Sequence, residues 1–500
     1  MEDLHAILKS LSPNQNEALQ RLLTCFSSRK QTETKTQLLA NLILANRDNV
    51  FSSEYYSVKI FGVYNPKAFS KLKIRLYDRI YDCLLMSFNL DKAENIDPTD
   101  DALIRIKKKS ALYTCIRFEK QLQSLTSKLV DEIIEESKQI EYFPGLVEHL
   151  RYKKWQQART NGTDSFEFWD KEQKQYENVS SALNKAADYY NMLVAKNKST
   201  ANSDKKTLAS FLEKSIATLN TYPEHAKSKS FEYYLLWLQF ELYSISKDYL
   251  FVKNTCHSLL KLIKTNKSIF RNERISMIYG NLAETEIYLS NYDSAIQYSA
   301  QAQKHFSKKL RNLSLSQNLQ FLANFYKGDF PQAEKINASL LSFPKATVGE
   351  FDFSKFNFYK ANLFFTNRKF QEADAQLSLD YKILDDTTGY GIGVRVLHIL
   401  THIESADDDR ARRGIKSLDQ FIYRLSPAPE QPSARDIQIL SFLQSLDKEG
   451  FQFSMLNKKA HQLIELLSNP SGEYSWQPFT AELIPFHRWV NSKIKRKIKK

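Results

Sequence analysis

At 500 residues and a 42% hydrophobic share, the chain is too long and too apolar to be a disordered segment, and is long enough for two or three domains or one extended solenoid. Its 12 glycines and 13 prolines are too few for the many turns of sandwiches, barrels and doubly wound sheets, which leaves long helices joined by short polar loops. The net charge of +14, from 71 basic and 57 acidic residues, favours acidic partners without demanding any.

Met1-Glu2-Asp3 lacks the basic-then-apolar order of a secretory signal, and no run approaches the ~18 apolar residues of a membrane span. A cytoplasmic protein is expected. The capping box Ser12-Pro13-Asn14-Gln15 opens a helix predicted over 13–27. Further helices are predicted over 34–46, 53–60 and 66–88, the last with an apolar stripe of Phe69, Leu72, Leu76, Ile80, Cys83 and Leu84. On the opposite face of that helix, Lys67, Lys71, Arg75 and Arg79 form a basic ridge. It reads as a solvated face, with duplex DNA as the alternative partner through a helix-turn-helix-like module.

Asp97-Pro98 starts the next element, and four or five helices follow to about residue 194, punctuated at Pro144-Gly145 and Asn161-Gly162. The polar run 196–206 and the proline-rich run 426–432 are the two linker candidates. With the new start at Asp97-Pro98 they divide the chain into an N-terminal helical module (1–95), helix hairpins (96–195), repeats (207–425) and a C-terminal helical cap (435–500).

The repeats rest on a recurring phrase: Tyr292-Asp293-Ser294-Ala295, Phe330-Pro331-Gln332-Ala333 and Phe370-Gln371-Glu372-Ala373. Each is an aromatic, two residues and an alanine at a helix opening, with the alanines 38 and 40 residues apart and an amphipathic helix upstream. A weaker copy has Tyr249 but Val252 in the alanine position. Two-helix units of this kind predict an all-α solenoid of antiparallel hairpins of tetratricopeptide type, in which the aromatic closes the turn and the alanine admits a close helix crossing. On that frame Glu284, Tyr288, Asn318, Tyr326, Phe358, Asn362 and Phe365 point into a groove that takes a peptide or protein partner.

The segments Phe69 to Leu85, Leu112 to Trp155, Arg395 to Leu425 and Phe486-His487-Arg488-Trp489-Val490-Asn491-Ser492-Lys493 resemble a family of uncharacterised cytosolic tetratricopeptide-like proteins of Bacteroidetes bacteria. The resemblance implies the fold and the compartment and adds no mechanism.

No constellation argues for catalysis. Gly389-Tyr390-Gly391-Ile392-Gly393 has Val394 where a dinucleotide fingerprint needs glycine, and reads as a loop entering a helix. His398 and His402 have the spacing of two metal ligands on one helical face, but no glutamate follows His398 as HExxH requires, and Glu404 lies on another face. They read as ordinary polar residues of a packed helix. Cys25, Cys83, Cys115 and Cys256 form no CxxC pair and read as buried, reduced thiols. The chain is therefore expected to be no enzyme and to need neither cofactor nor metal. The six basic residues from Asn491 to Lys500 read as a solubilising tail.

Overall fold

In a computed structural model of the chain, helix begins at once with α1 (Glu2–Ser10), an element the sequence reading had not marked. Helix accounts for 82% of the structure, and no strand occurs among the described residues. Those residues are 1–25, 34–46, 49–87, 97–199, 205–305, 310–379, 382–425 and 431–497. No helix among them is long and apolar enough to cross a membrane.

The chain forms two compact units, Met1–Asp101 and Ala102–Lys500. The first contains α1, α2 (Pro13–Cys25), α3 (Lys35–Ala45), α4 (Ser53–Phe61) and α5 (Pro66–Ser87). The capping box works in both directions: Gln15 N–H donates to Ser12 Oγ (3.2 Å) and Ser12 N–H to Gln15 Oε1 (3.0 Å). Asn65 caps α5 through its Oδ1, which accepts from Ala68 N–H (3.0 Å). The predicted stripe of α5 is the wall of this unit's core, with Phe69, Leu72, Leu76, Ile80 and Cys83 all buried. His5 reaches across that core to the Tyr56 hydroxyl (2.8 Å).

The second unit begins within α6 (Pro98–Ile116) and continues through α7 (Gln123–Gln139) and α8 (Phe143–Ser199). Helix α8 is broken at Gly162, where φ is 77° and ψ is −157°. Lys154 and Asp170 form an ion pair across the break (2.9 Å), although 16 residues of straight helix would hold them about 24 Å apart. The two limbs therefore fold back on each other. Helix α9 (Lys205–Asn220) packs on both α8 and α10 (Lys229–Ile245), so one compact unit runs past the expected linker at 196–206, of which 200–204 lie outside the described residues. The other expected break, 426–432, falls outside them except for 431 and 432.

From here each main helix packs on the next: α11 (Tyr249–Thr265), α12 (Asn272–Tyr288), α13 (Tyr292–His305), α14 (Leu310–Lys327), α15 (Phe330–Leu341), α17 (Glu350–Thr366), α18 (Phe370–Leu377), α19 (Tyr390–Glu404), α20 (Asp408–Leu425), α21 (Ala434–Lys448), α22 (Lys458–Ser468) and α23 (Phe486–Lys497), with the short α16 (Lys345–Val348) lying against α14 and α17. One turn recurs between them. Lys247, Ser290, Gly328, Arg368 and Ala406 all have left-handed φ between 55° and 89°. The next residue's N–H bonds back over the helix end each time: Asp248 to Tyr243 O (2.9 Å), Asn291 to Glu286 O (2.8 Å), Asp329 to Asn324 O (2.9 Å), Lys369 to Phe364 O (2.8 Å) and Asp407 to His402 O (2.9 Å).

Five residues after each turn residue stand Val252, Ala295, Ala333, Ala373 and Ala411, all buried. The last belongs to a fifth copy that sequence reading missed, because Asp408 stands where the other copies carry Tyr or Phe. The aromatic phrase therefore marks the turn without being needed for it. Glu141 makes the same turn before Phe143 and Leu146, with Tyr142 N–H bonded to Ser137 O (2.9 Å).

Ala295, Ala333 and Ala373 have no exposed surface, so a larger side chain at any of them has nowhere to go. Replacing one with Leu is expected to overpack its helix crossing and cost about 1–3 kcal/mol in urea unfolding. If all three Leu variants unfold like the parent, the register of the repeat is wrong.

Candidate functional site

The residues placed in a groove by sequence fall into two groups. Glu284 and Tyr288 border an open cleft of about 290 Å³ between α10, α11 and α12, together with Phe240, Glu241 and Tyr249. Tyr249 and Tyr288 stack face to face at 4.3 Å and form one wall. Glu284 keeps an exposed surface in the cleft, yet protein surrounds its carboxyl and the resulting burial raises its pKa. Burial likewise raises Glu241, and the charge of Glu284 raises it further. Neither carboxylate has a hydrogen-bond or ion-pair partner among the described residues. The neighbouring Glu286, fully buried, does have one in Lys253 (2.7 Å). The cleft thus holds two carboxylates with no ion-pair partner among the described residues, walled by aromatic rings.

In the second group most of the residues expected to face the groove are taken up by the chain's own packing. Phe358, Asn362 and Phe365 are buried. Phe358 meets the Tyr390 ring of α19 edge-on (5.7 Å), whereas Asn362 Nδ2 donates within its own helix to Phe358 O (2.9 Å). Asn318 is half-buried, with an Oδ1 that has no hydrogen-bond partner. Tyr326 is covered by the chain's own segment 469–485, which links α22 to α23 without helix. Phe479 N–H donates to the Tyr326 hydroxyl (3.4 Å), Trp476 sits edge-on to the Tyr326 ring (5.2 Å), and the Phe479 ring meets Tyr288 (5.1 Å). Phe365 lines a neighbouring cavity of about 450 Å³ with Leu483 and Pro485 of the same stretch and Trp489 of α23.

Two contacts fix this segment. Buried Arg435 forms an ion pair with its Glu482 (2.6 Å). Half-buried Gly393 lets the segment pass close to α19: a Cβ there would lie 2.3 Å from the Cβ of Ala481. The glycine cluster at the start of α19 therefore admits a crossing chain rather than a phosphate. Tyr390 and Gly391 already lie in α19, and Asp386 accepts from the N–H groups of Gly389 and Tyr390 (3.1 Å each).

The basic ridge lies on the outer face of α5. Lys67, Lys71 and Arg75 are exposed, and Arg79 pairs with Asp82 (3.2 Å). Lys71, Arg75 and Arg79 border a cleft that Lys35 and Asp78 also line. Two cysteines depart from expectation: Cys25 and Cys115 are exposed, whereas Cys83 and Cys256 are buried, and all four are free. Burial pushes the Cys256 thiol up to about 12, which leaves it inert.

His398 and His402 do share a face of α19, with ring centroids 4.6 Å apart. What sequence reading lacked was Asp374 of α18, whose Oδ1 lies 2.6 Å from His398 Nε2. The repeat register held a signal for it, since Asp374 directly follows the crossing alanine Ala373. Glu404 serves elsewhere, accepting from Trp489 Nε1 (2.7 Å) and pairing with Lys493. No protein-family model matches the chain, and no curated protein matches it.

Proposed function

We propose that the chain is a non-catalytic, cytoplasmic interaction scaffold, an α-solenoid of tetratricopeptide type that binds a polypeptide along the first helices of its repeats. The recurring turn with a buried small residue five positions on supports the repeat type. The observation that carries the functional reading is segment 469–485, a non-helical stretch of polypeptide held across Tyr288, Tyr326 and Gly393 by ring contacts and a main-chain bond. Those helices accept non-helical chain, and the cleft at Glu241 and Glu284 is the open part of the same row.

Two unpaired carboxylates beside Tyr249 and Tyr288 suit a lysine or arginine side chain of the partner, which gains both charge and a π-face. Fluorescence anisotropy with labelled extended peptides that differ only in net charge tests this. Basic peptides are expected to bind, and the double variant Glu241→Gln, Glu284→Gln to bind them at least about tenfold more weakly, a difference of about 1.4 kcal/mol. Because both carboxyls titrate above the ordinary glutamate value, affinity should fade on acidification at a higher pH than an ordinary glutamate would give. Equal binding of acidic peptides, or an unaffected double variant, would sink the reading.

A further inference from the structure

Asp374 on α18 and His398 and His402 on α19 bring three side chains of metal-ligand type to one point. The helical spacing of the histidines turns both Nε2 atoms towards a single oxygen: Asp374 Oδ1 is 2.6 Å from His398 Nε2 and 3.7 Å from His402 Nε2. All three donor atoms lie within 4.8 Å of one another. Metal–ligand bonds of about 2.0–2.2 Å place donors roughly 3–3.5 Å apart, so an ion would part His398 from Asp374 by about half an ångström and draw His402 inwards.

We propose that Asp374, His398 and His402 form a binding site for a borderline first-row divalent cation, of which zinc is the representative. Two imidazoles with one carboxylate suit such ions, whereas magnesium and calcium ask for oxygen ligands throughout. The arrangement continues outward. Asp374 Oδ2 accepts from Arg410 Nη1 (2.8 Å), and Arg410 Nε is held in turn by Asp407 Oδ2 (2.6 Å). One carboxylate oxygen is thus tied back while the other faces the histidines, as the outer partners of metal ligands commonly arrange.

His402 is nearly buried, at 10% side-chain exposure, while His398 and Asp374 keep 30% and 26%. Three protein ligands with one side open to solvent leave positions for water or an outside donor.

Isothermal titration of the chelator-treated full chain with Zn²⁺ is the test. One equivalent is expected to bind at micromolar or tighter affinity, unaffected by millimolar Mg²⁺. Asp374→Asn and His402→Ala should each weaken that equivalent at least about 100-fold, while His305→Ala, at a histidine on α13, should leave it intact. His398→Asn, at a more exposed position, decides the matter if His402→Ala fails to fold. Titration with Co²⁺ should give the visible absorption of an imidazole-bound ion in the parent and lose it in the same variants. No saturable binding, full competition by Mg²⁺, or equal binding by the Asp374 and His398 variants would overturn the proposal.

Discussion

Arg435→Ala is expected to destabilise the chain by about 3–5 kcal/mol in urea unfolding, the cost of leaving one half of a buried ion pair alone. Arg435 is buried to 6% exposure at the start of α21, and its whole guanidinium is engaged. Nε donates to Glu482 Oε2 (2.6 Å) and Nη2 to Glu482 Oε1 (2.7 Å), the paired geometry that planar guanidinium and carboxylate favour. Nη1 donates to Leu467 O (3.0 Å) and to Tyr474 O (2.5 Å), which ties the end of α22 and the start of the crossing segment to one side chain. Glu482 in turn accepts from Phe486 N–H (2.6 Å) at the head of α23. Truncation strands a desolvated carboxylate and two carbonyls, whereas Arg435→Lys keeps the charge, loses the fork and should fall between. The double variant Arg435→Ala, Glu482→Ala should lose less than the two single losses combined, because no charge is left behind. A loss under about 1 kcal/mol for Arg435→Ala would show that the network is slack.

The same network sets an acid response. His487 lies 3.2 Å from Arg435 Nη2, and burial first, then the charges of Arg435 and Arg488, push its pKa from 6.5 down to about 4. The folded chain therefore binds fewer protons than the unfolded chain between those values. The stability this contributes is present above pH 6.5 and is shed as pH falls through the window towards 4. In Arg435→Ala, with one of those charges gone, the window should narrow.

Gly393→Val is the second large effect expected, at about 3 kcal/mol, the upper end of what overpacking usually costs. The atom a new Cβ would strike is the Cβ of Ala481 at 2.3 Å, with the Ala481 carbonyl carbon and oxygen at 3.2 Å behind it. None of these is the movable end of a flexible side chain, so either α19 or the segment must shift. If the segment yields, proteolytic cleavage between residues 469 and 485 should quicken in Gly393→Val. Ala481→Gly should restore part of the loss in the milder Gly393→Ala and do little by itself. Parental stability and parental protease resistance in Gly393→Val would show that the segment does not press on α19.

How much of this was legible in sequence follows from the range of the interactions concerned. Ser12 with Gln15, and Asn65 with Ala68, are settled within one turn of helix, so the positions of α2 and α5 could be read directly. The phrase around Ala295, Ala333 and Ala373 is likewise local, since turn residue, aromatic and alanine lie within six positions. The copy at Ala411 escaped because a left-handed residue and its back-bonded N–H make the turn with or without the aromatic.

The sequence by itself determined that the chain is helical, where helices such as α2 and α5 start, which face of α5 turns inward and that one phrase recurs at helix openings, because caps and the helical period act within a few residues. What covers a buried face is another matter. Tyr326 and Phe479 are 153 positions apart, Trp489 and Glu404 are 85, and Arg435 and Glu482 are 47. Only the tertiary structure decided that segment 469–485 closes the groove over Tyr326, that Glu241 and Glu284 remain open and unpaired, and that Asp374 completes the pair His398 and His402. An apolar or aromatic stripe states that a helical face will leave water; it carries no information about whether a neighbouring helix, a distant stretch of the same chain or another molecule removes the water from it.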